Sequence, residues 1–398
     1  MTDDHLVATY LATLPPGREE AAAAAFAEGQ SIGTWQPVPG ITDAMRARHG
    51  GRVEEVRALG PGEIVAGEAA EASGWLVRVA FPIVNFGPQF PMLVTTLTGN
   101  DPSTSIAARL VDIDIAPAFA AGFPGPGEGI AGWRRITGVA DRALVMNMIK
   151  PCTGFPPEVG AGFVADSARG GLDLIKDDEL LADPSFARVG DRARAYARAL
   201  DEVAAETGRR SRYVANVTTR GRDLLDTARS ALDGGADALM VNALAVGLDG
   251  LQTLAEARLG VPILAHSAGS ETFTTATASG YGHRLLLGRL LRLAGADAVL
   301  SSTPMAPRPL SHARFEAFLD ACRDDWVGLR PVLPMVGGGL RADHIGALLE
   351  ITGPDVILGI GGAIQGHPDG AAAGGRVVME ALAAAAAADR VRPTSRVR

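Results

Sequence analysis

Lysine is almost missing from this sequence. Lys and Arg together number 37 in 398 residues, yet lysine stands only at positions 150 and 176, and arginine takes the other 35. Cysteine is equally scarce: Cys152 and Cys322 lie far apart and form no CxxC pair, which excludes a disulfide scaffold and a cysteine zinc site and leaves two reduced thiols. No apolar run reaches the roughly 18 residues of a membrane-spanning helix. The opening MTDDHLVATY carries acids where a signal peptide needs a basic end. A cytoplasmic address and no membrane partner are expected. A net charge of -8 lacks the basic surplus that neutralises a phosphate backbone, so no nucleic-acid partner is expected either. What is present is a globular composition, 47% hydrophobic and 21% charged with 49 Gly and 25 Pro, on a chain long enough for two or three domains.

The lysine deficit singles out two residues. Arginine replaces lysine at a solvated surface with little cost, but its guanidinium cannot give up a proton, whereas a buried ammonium can. Lys150 and Lys176 are therefore candidates for amine chemistry, with chance retention on the surface as the bland alternative.

Two regions differ in pattern. Up to residue 135 the sequence reads as a small α+β domain. Its expected parts are a helix over LATLPPGREEAAAAAFAEG, a helix around Asp43 to His49, strands in GWLVRVAFPI and FPMLVTTLTG, and RLVDIDIAP at the end. The Pro/Gly-rich PGPGEGIAG precedes a boundary at 135/136. From there to residue 398, eight short apolar runs alternate with amphipathic segments: ALVMNMIKP, LDLIKDDE, SRYVANVTT, ADALMVNA, VPILAHSAG, ADAVLSST, VLPMVGGG and DVILGIGG. Eight βα units fit a closed (β/α)₈ barrel better than an open doubly wound sheet, since no GxGxxG follows the first run. The alanine run from 383 to 388 should continue the last helix.

A barrel places chemistry where strands end and loops begin, and both lysines stand there. In GGLDLIKDDE, strand alternation sends Lys176 and Asp178 to one side, with Glu179 next. Two carboxylates are half of a hard-cation site. An ammonium beside them would repel a metal, which leaves two solutions. Either the amine stays free and forms a Schiff base with a carbonyl substrate, or it adds CO₂ to become a carbamate, a third anionic oxygen ligand. A solvated KDDE at a helix start is the structural alternative.

GGLDLIKDDE resembles the activation motif of the RuBisCO large-subunit superfamily, and MIKPCTG resembles that family's first-strand KPKxG. SIGTW, TGN, VANVT, LAHSAG, GGG and GIGGAIQGHPDGAAAGGR follow in the family's order, so the resemblance covers most of the chain. It implies a C-terminal (β/α)₈ barrel with an N-terminal ferredoxin-like α+β domain. It further implies Mg²⁺ on carbamylated Lys176, Asp178 and Glu179, and Lys150 as the enolising base with its pKa lowered by the metal and by burial. Gly338, Gly339, Gly361 and Gly362 match the phosphate site, and Thr34 and Trp35 the small-domain residues that close over it from a partner subunit. Asn100 matches a residue that reaches the metal-bound substrate. Glu28 matches the metal-side glutamate, at one residue more than the usual spacing from GTW. His266 matches a ligand of a substrate hydroxyl and a proton shuttle. A homodimer with shared active sites follows.

Departures from the family pattern set the kind of member. The second lysine of KPKxG is Cys152, which is an acid or a bystander. STPMAPRPLS, after the sixth strand, has no lysine. The fifth-strand HRxxH reads His266, Ser267, Ala268, Gly269, Ser270, and Leu300 replaces the sixth-strand histidine. Carboxylation of ribulose bisphosphate is not expected. Instead these changes imply a RuBisCO-like protein that enolises a monophosphorylated keto-sugar or keto-acid, as an isomerase, tautomerase or decarboxylase. The diketone-phosphate enolase of methionine salvage comes second, because that group draws its base from a small-domain lysine and this small domain has none. A Schiff-base aldolase, a true carboxylase and a non-catalytic regulator complete the alternatives. Asn147 and Asn216 are read as inner-barrel polar groups without an assigned role.

Overall fold

The computed structural model describes residues 4–33, 38–70, 74–276 and 278–391. Its strands in chain order are β1 (His5–Thr13), β2 (Arg52–Ala58), β3 (Ile64–Val65), β4 (Glu68–Ala69), β5 (Trp75–Pro82), β6 (Ala107–Asp114), β7 (Leu144–Met148), β8 (Leu174–Lys176), β9 (Arg212–Asn216), β10 (Ala238–Asn242), β11 (Ile263–His266), β12 (Gly280–Tyr281), β13 (Ala298–Ser301), β14 (Leu333–Val336) and β15 (Ile357–Gly359). The chain folds as two compact units. One comprises residues up to Gly125 together with Gly269–Gly295 and His312–Arg330, and the other Pro126–Ala268, Ala296–Ser311 and the remainder from Pro331.

The first unit is a sheet in the order β12-β6-β1-β5-β2. Helices Glu19–Gly29 and Phe90–Thr98 connect β1 to β2 and β5 to β6, which is the βαββαβ ferredoxin-like arrangement. Two expected elements change type. Leu11–Thr13 ends β1 rather than opening a helix, and the helix starts at Glu19, after the Pro15–Pro16–Gly17 turn that no helix could cross. FPMLVTTLTG is helical, not extended: its buried residues Phe90, Leu93 and Leu97 recur at helical spacing, and Pro91 sits in the first turn, where its missing N–H costs nothing.

The second unit is a closed parallel barrel, β10-β11-β13-β14-β15-β7-β8-β9, and all eight apolar runs are its strands. Its interior is filled by Met146, Leu174, Val214, Met240, Leu264, Ala298, Met335 and Ile357, all fully buried, and Trp133 from helix Gly129–Thr137 packs into the same cluster. Burial of each large side chain there contributes roughly 1.5–3 kcal/mol. Because strand side chains alternate, the residue two positions beyond these layers again faces inward, now at the C-terminal rim. Six strands place Met148, Lys176, Asn216, Asn242, His266 and Leu300 there. Asn147 has the opposite parity. It points out of the barrel, where its Nδ2 donates to Ser167 Oγ at 2.9 Å, so the inner-barrel assignment for this residue is corrected.

Candidate active site

Strand β8 ends in three polar residues that face alternately. Asp177 points outward and is saturated there. It accepts two hydrogen bonds from Arg192, at 3.1 and 3.0 Å, one from the Tyr213 hydroxyl at 2.7 Å and one from the Asn216 amide at 2.9 Å. Lys176 and Asp178 point inward, as alternation requires. Lys176 is fully buried, and its Nζ donates to the Asp177 carbonyl at 2.9 Å. Burial pushes its amine down to about 8, against the pull of Glu179, Asp178 and Asp177, so a neutral nucleophile is accessible near neutral pH.

Lys150, in the loop after β7, brings the second amine to the same place. Its Nζ donates to Asp178 Oδ2 at 2.6 Å and to Cys152 Sγ at 3.1 Å. Burial lowers the Lys150 pKa, but the hydrogen bonds to Asp178 and Cys152 outweigh it and the net direction is upward. Burial, one of the two expected causes of lowering, does act here, and Asp178 outweighs it by stabilising the ammonium. The same pair, with the Leu180 amide, overcomes burial at Asp178 and holds its carboxyl below the ordinary range.

His266 ends β11 facing Glu179, with Nε2 at 3.7 Å from Oε2. Its Nδ1 accepts the Ala268 N–H at 3.2 Å, which assigns the ring proton to Nε2. Burial, and then the positive charge of Lys176, push the imidazole down to about 3, so it is a neutral donor. The Glu179 backbone is fixed by two asparagines. Asn216 Nδ2 donates to the carbonyls of Asp178 and Glu179, both at 3.2 Å, and Asn242 Nδ2 donates to that of Glu179 at 2.9 Å. Sequence reasoning left Asn216 without a role and missed Asn242. The signal was available, since VAN and MVN end consecutive barrel strands in the same residue.

The glycine turns follow β14 and β15, and β15 pairs with β7 on the side of Lys150. Gly338 and Gly339 follow β14 with φ of +95° and +74°, values that side chains resist. A Cβ on Gly339 would meet Pro307 at 2.9 Å, and one on Gly361 would meet Met148 at 3.4 Å, while Gly362 opens the short helix 362–365. Among the described residues, no hydrogen bond engages the amides of Gly338, Gly339, Gly361 or Gly362, so they can receive an anion. Glu28 and Asn100 lie in the first unit. Glu28 is the last residue but one of helix Glu19–Gly29 and pairs with Arg46, and Asn100 precedes the helical turn 101–104. Thr34 and Trp35 lie outside the described residues.

Among the described residues, no three His, Cys, Asp or Glu side chains converge to hold a metal. The inward cluster fits a hard cation only if Lys176 carries CO₂. A carbamate there would join the carboxylates of Asp178 and Glu179 in an all-oxygen donor set of the kind Mg²⁺ takes. The buried, partly neutral amine meets the condition for that addition.

Comparison with known proteins gives a consistent result. The family described as ribulose bisphosphate carboxylase large chain, catalytic domain, matches residues 129–395. A ribulose bisphosphate carboxylase-like protein of Archaeoglobus fulgidus is 37% identical over 96% of this chain and 88% of its own length. The 2,3-diketo-5-methylthiopentyl-1-phosphate enolase of Geobacillus thermodenitrificans is 35% identical over 92% of this chain and 89% of its own. Among solved structures, a rubisco-like protein (MtnW) of Alicyclobacillus acidocaldarius superposes with a TM-score of 0.86 at 34% identity, covering 97% of this chain and 95% of that one. The Pyrococcus horikoshii RuBisCO reaches 0.88 at 27% identity, over 98% and 89%. With the barrel and its paired lysines already described, these likenesses identify the chain as a member of the RuBisCO large-chain family and, within it, a RuBisCO-like protein.

Proposed function

We propose that this protein enolises a monophosphorylated 2,3-diketone of the kind named for its relatives, as a cytoplasmic homodimer that uses Mg²⁺ held by carbamylated Lys176, Asp178 and Glu179. The observation that carries the reading is the convergence of Lys150 Nζ on Asp178 at 2.6 Å, beside a second, buried lysine. Sequence analysis ranked this substrate second. Likeness to proteins named for that activity, over more than nine-tenths of the chain, moves it to first, and Lys150 takes the place of the base that the small domain lacks.

In a 2,3-diketone 1-phosphate, the hydrogens on carbon 1 lie next to the carbon 2 ketone and are acidic. The bound cation would act as a Lewis acid toward the ketone oxygens. The amides of Gly338, Gly339, Gly361 and Gly362 hold the phosphate, which fixes carbon 1 relative to Lys150. Lys150 must be neutral to accept a proton, so it must first lose Asp178 as its partner; Asp178 is one of the residues that would hold the cation, and in that role it would no longer stabilise the ammonium. The amine then takes the proton from carbon 1. The C–H electron pair becomes the C1=C2 bond, and the carbon 2 oxygen receives a proton in return. His266 presents its Nε2–H to a substrate oxygen.

The test is proton exchange. With 2,3-diketo-5-methylthiopentyl 1-phosphate, Mg²⁺ and bicarbonate in D₂O, deuterium should enter carbon 1, and Lys150→Met should slow this by about 10³-fold while a carbamate signal from ¹³C-bicarbonate persists. Exchange with ketose phosphates but not with the diketone would reassign the substrate. If no phosphorylated ketone exchanges, the reading is wrong.

A further inference from the structure

The polar network around the Asp178–Glu179 turn can be followed bond by bond. The Asn242 amide donates to Thr218 Oγ1 at 2.8 Å, and the Thr218 hydroxyl donates to Asn216 Oδ1 at 2.6 Å, where the Thr218 amide also donates at 3.1 Å. Asn216 and Asn242 then give their Nδ2 hydrogens to the Asp178 and Glu179 carbonyls. Among the described residues, every side-chain acceptor in this network is filled except one. Asn242 Oδ1 is buried and has no hydrogen-bond partner among the described residues. Turning the amide over cannot repair this, because the Glu179 carbonyl accepts only and needs the NH₂ side.

Asn216 and Asn242 occupy equivalent places on neighbouring strands, yet only Asn216 has a satisfied carbonyl. A buried acceptor without a donor is costly unless something fills it. By strand alternation Asn242 belongs to the inward layer of the rim, and it pairs in register with His266 on the neighbouring strand. A 2,3-diketone brings no hydroxyl hydrogen to that position. Its enol does: when a C–H and a C=O become C=C and O–H, with no other reagent consumed, a donor appears on carbon 2 that the substrate lacked.

We infer that Asn242 is a specificity residue whose Oδ1 accepts the hydroxyl of the enol, and so favours the enolised form over the ketone. This rests on the enolisation proposed above. Such a contact, made after proton transfer but not before it, lowers the barrier without tightening substrate binding.

The experiment compares two probes on the holoenzyme with Mg²⁺ and bicarbonate: 2-hydroxy-3-oxopentyl 1-phosphate, which carries a hydroxyl where the enol would, and 3-oxopentyl 1-phosphate, which does not. Wild type should bind the first about tenfold more tightly. In Asn242→Leu the two affinities should come within about twofold, because the acceptor is gone. Asn242→Ala should behave alike, which covers a failure of the leucine variant to fold. Asn242→Asp, which keeps an oxygen acceptor, should retain most of the preference. Loss of the bond to Glu179 weakens both probes equally and leaves their ratio unmoved, so a purely structural role is distinguishable. An unchanged ratio in the Leu and Ala variants, or no preference in wild type, overturns the inference even if the diketone is enolised. If wild type binds neither probe and exchanges no diketone proton, the proposed function falls and this inference falls with it.

Discussion

At the N-terminal end of the barrel, Asp173, Asp237 and Asp297 each stand one residue before a strand, β8, β10 and β13, and each accepts the backbone N–H of the preceding barrel strand: Val145, Tyr213 and Ile263, all at 2.9 Å. Their remaining capacity is taken up as well. Arg142 grips Asp173 at 2.7 and 2.8 Å, Arg210 grips Asp237 at 2.9 and 2.8 Å, and the Glu128 and Gly129 amides hold Asp297 at 2.8 and 2.6 Å. At the C-terminal end the charges are not used up. Lys176 is buried facing Asp178 and Glu179, Lys150 has Asp178 and a thiol, and Asn242 keeps an open acceptor. Saturated polar groups lock a structure, whereas unsaturated ones wait for a ligand. Charge that the chain satisfies for itself marks stability, and charge it leaves open marks chemistry.

The largest effect expected from breaking this contrast comes at the open end. Lys176→Arg keeps a positive charge but supplies no amine that can add CO₂. Enolisation should fall by at least about 10³-fold. The ¹³C carbamate signal should vanish, with the melting temperature within a few degrees of wild type. A variant that retained activity would remove the carbamate from the mechanism.

At the closed end the order reverses. Asp297→Ala strands three amides that the carboxylate now serves, at about 1–3 kcal/mol for each unsatisfied group before relaxation. A loss of roughly 2–5 kcal/mol in stability is expected, read as a lowered denaturation midpoint, with turnover per folded molecule within about twofold. Large loss of turnover with unchanged stability would erase the distinction between the two ends.

How much of this was legible follows the same division. The eight strands were readable because each is a short apolar run fully buried in a parallel barrel, and β8 was readable to the residue because alternation places Lys176 and Asp178 together. β1 and the helix Phe90–Thr98 were misread because apolar runs of this length fit either state until Pro91 and the spacing of Phe90, Leu93 and Leu97 are weighed. Asn147 was misplaced by one residue of parity. The hold of Asp178 on Lys150 went unread, since motif order does not reveal that the two lie 2.6 Å apart. The closed end went unseen, although GGLD, GGAD and AGAD repeat a Gly-x-Asp before every second strand.

The third effect is graded. With the Lys176 amine at about 8, its neutral fraction falls about tenfold for each pH unit below that value. Only the neutral amine attacks CO₂. Activation at fixed dissolved CO₂ should therefore rise about tenfold between pH 6 and 7 and level off above about 8. A rate independent of pH across that window would show that Lys176 is not the group activated.

The smallest effect tests Cys152, read from sequence as either an acid or a bystander. Its thiol is a weak acceptor, 3.1 Å from a Lys150 ammonium that Asp178 already holds at 2.6 Å. Loss of a contact of about 0.5–1 kcal/mol changes a rate by a factor of two to five. Cys152→Ala should stay within that range, with the pH profile unmoved, which is what a bystander predicts. A drop beyond about 100-fold, rescued by Ser, would instead make the side chain at 152 the group that returns the proton to carbon or oxygen, and the open end would then hold a third proton carrier beside Lys150 and His266.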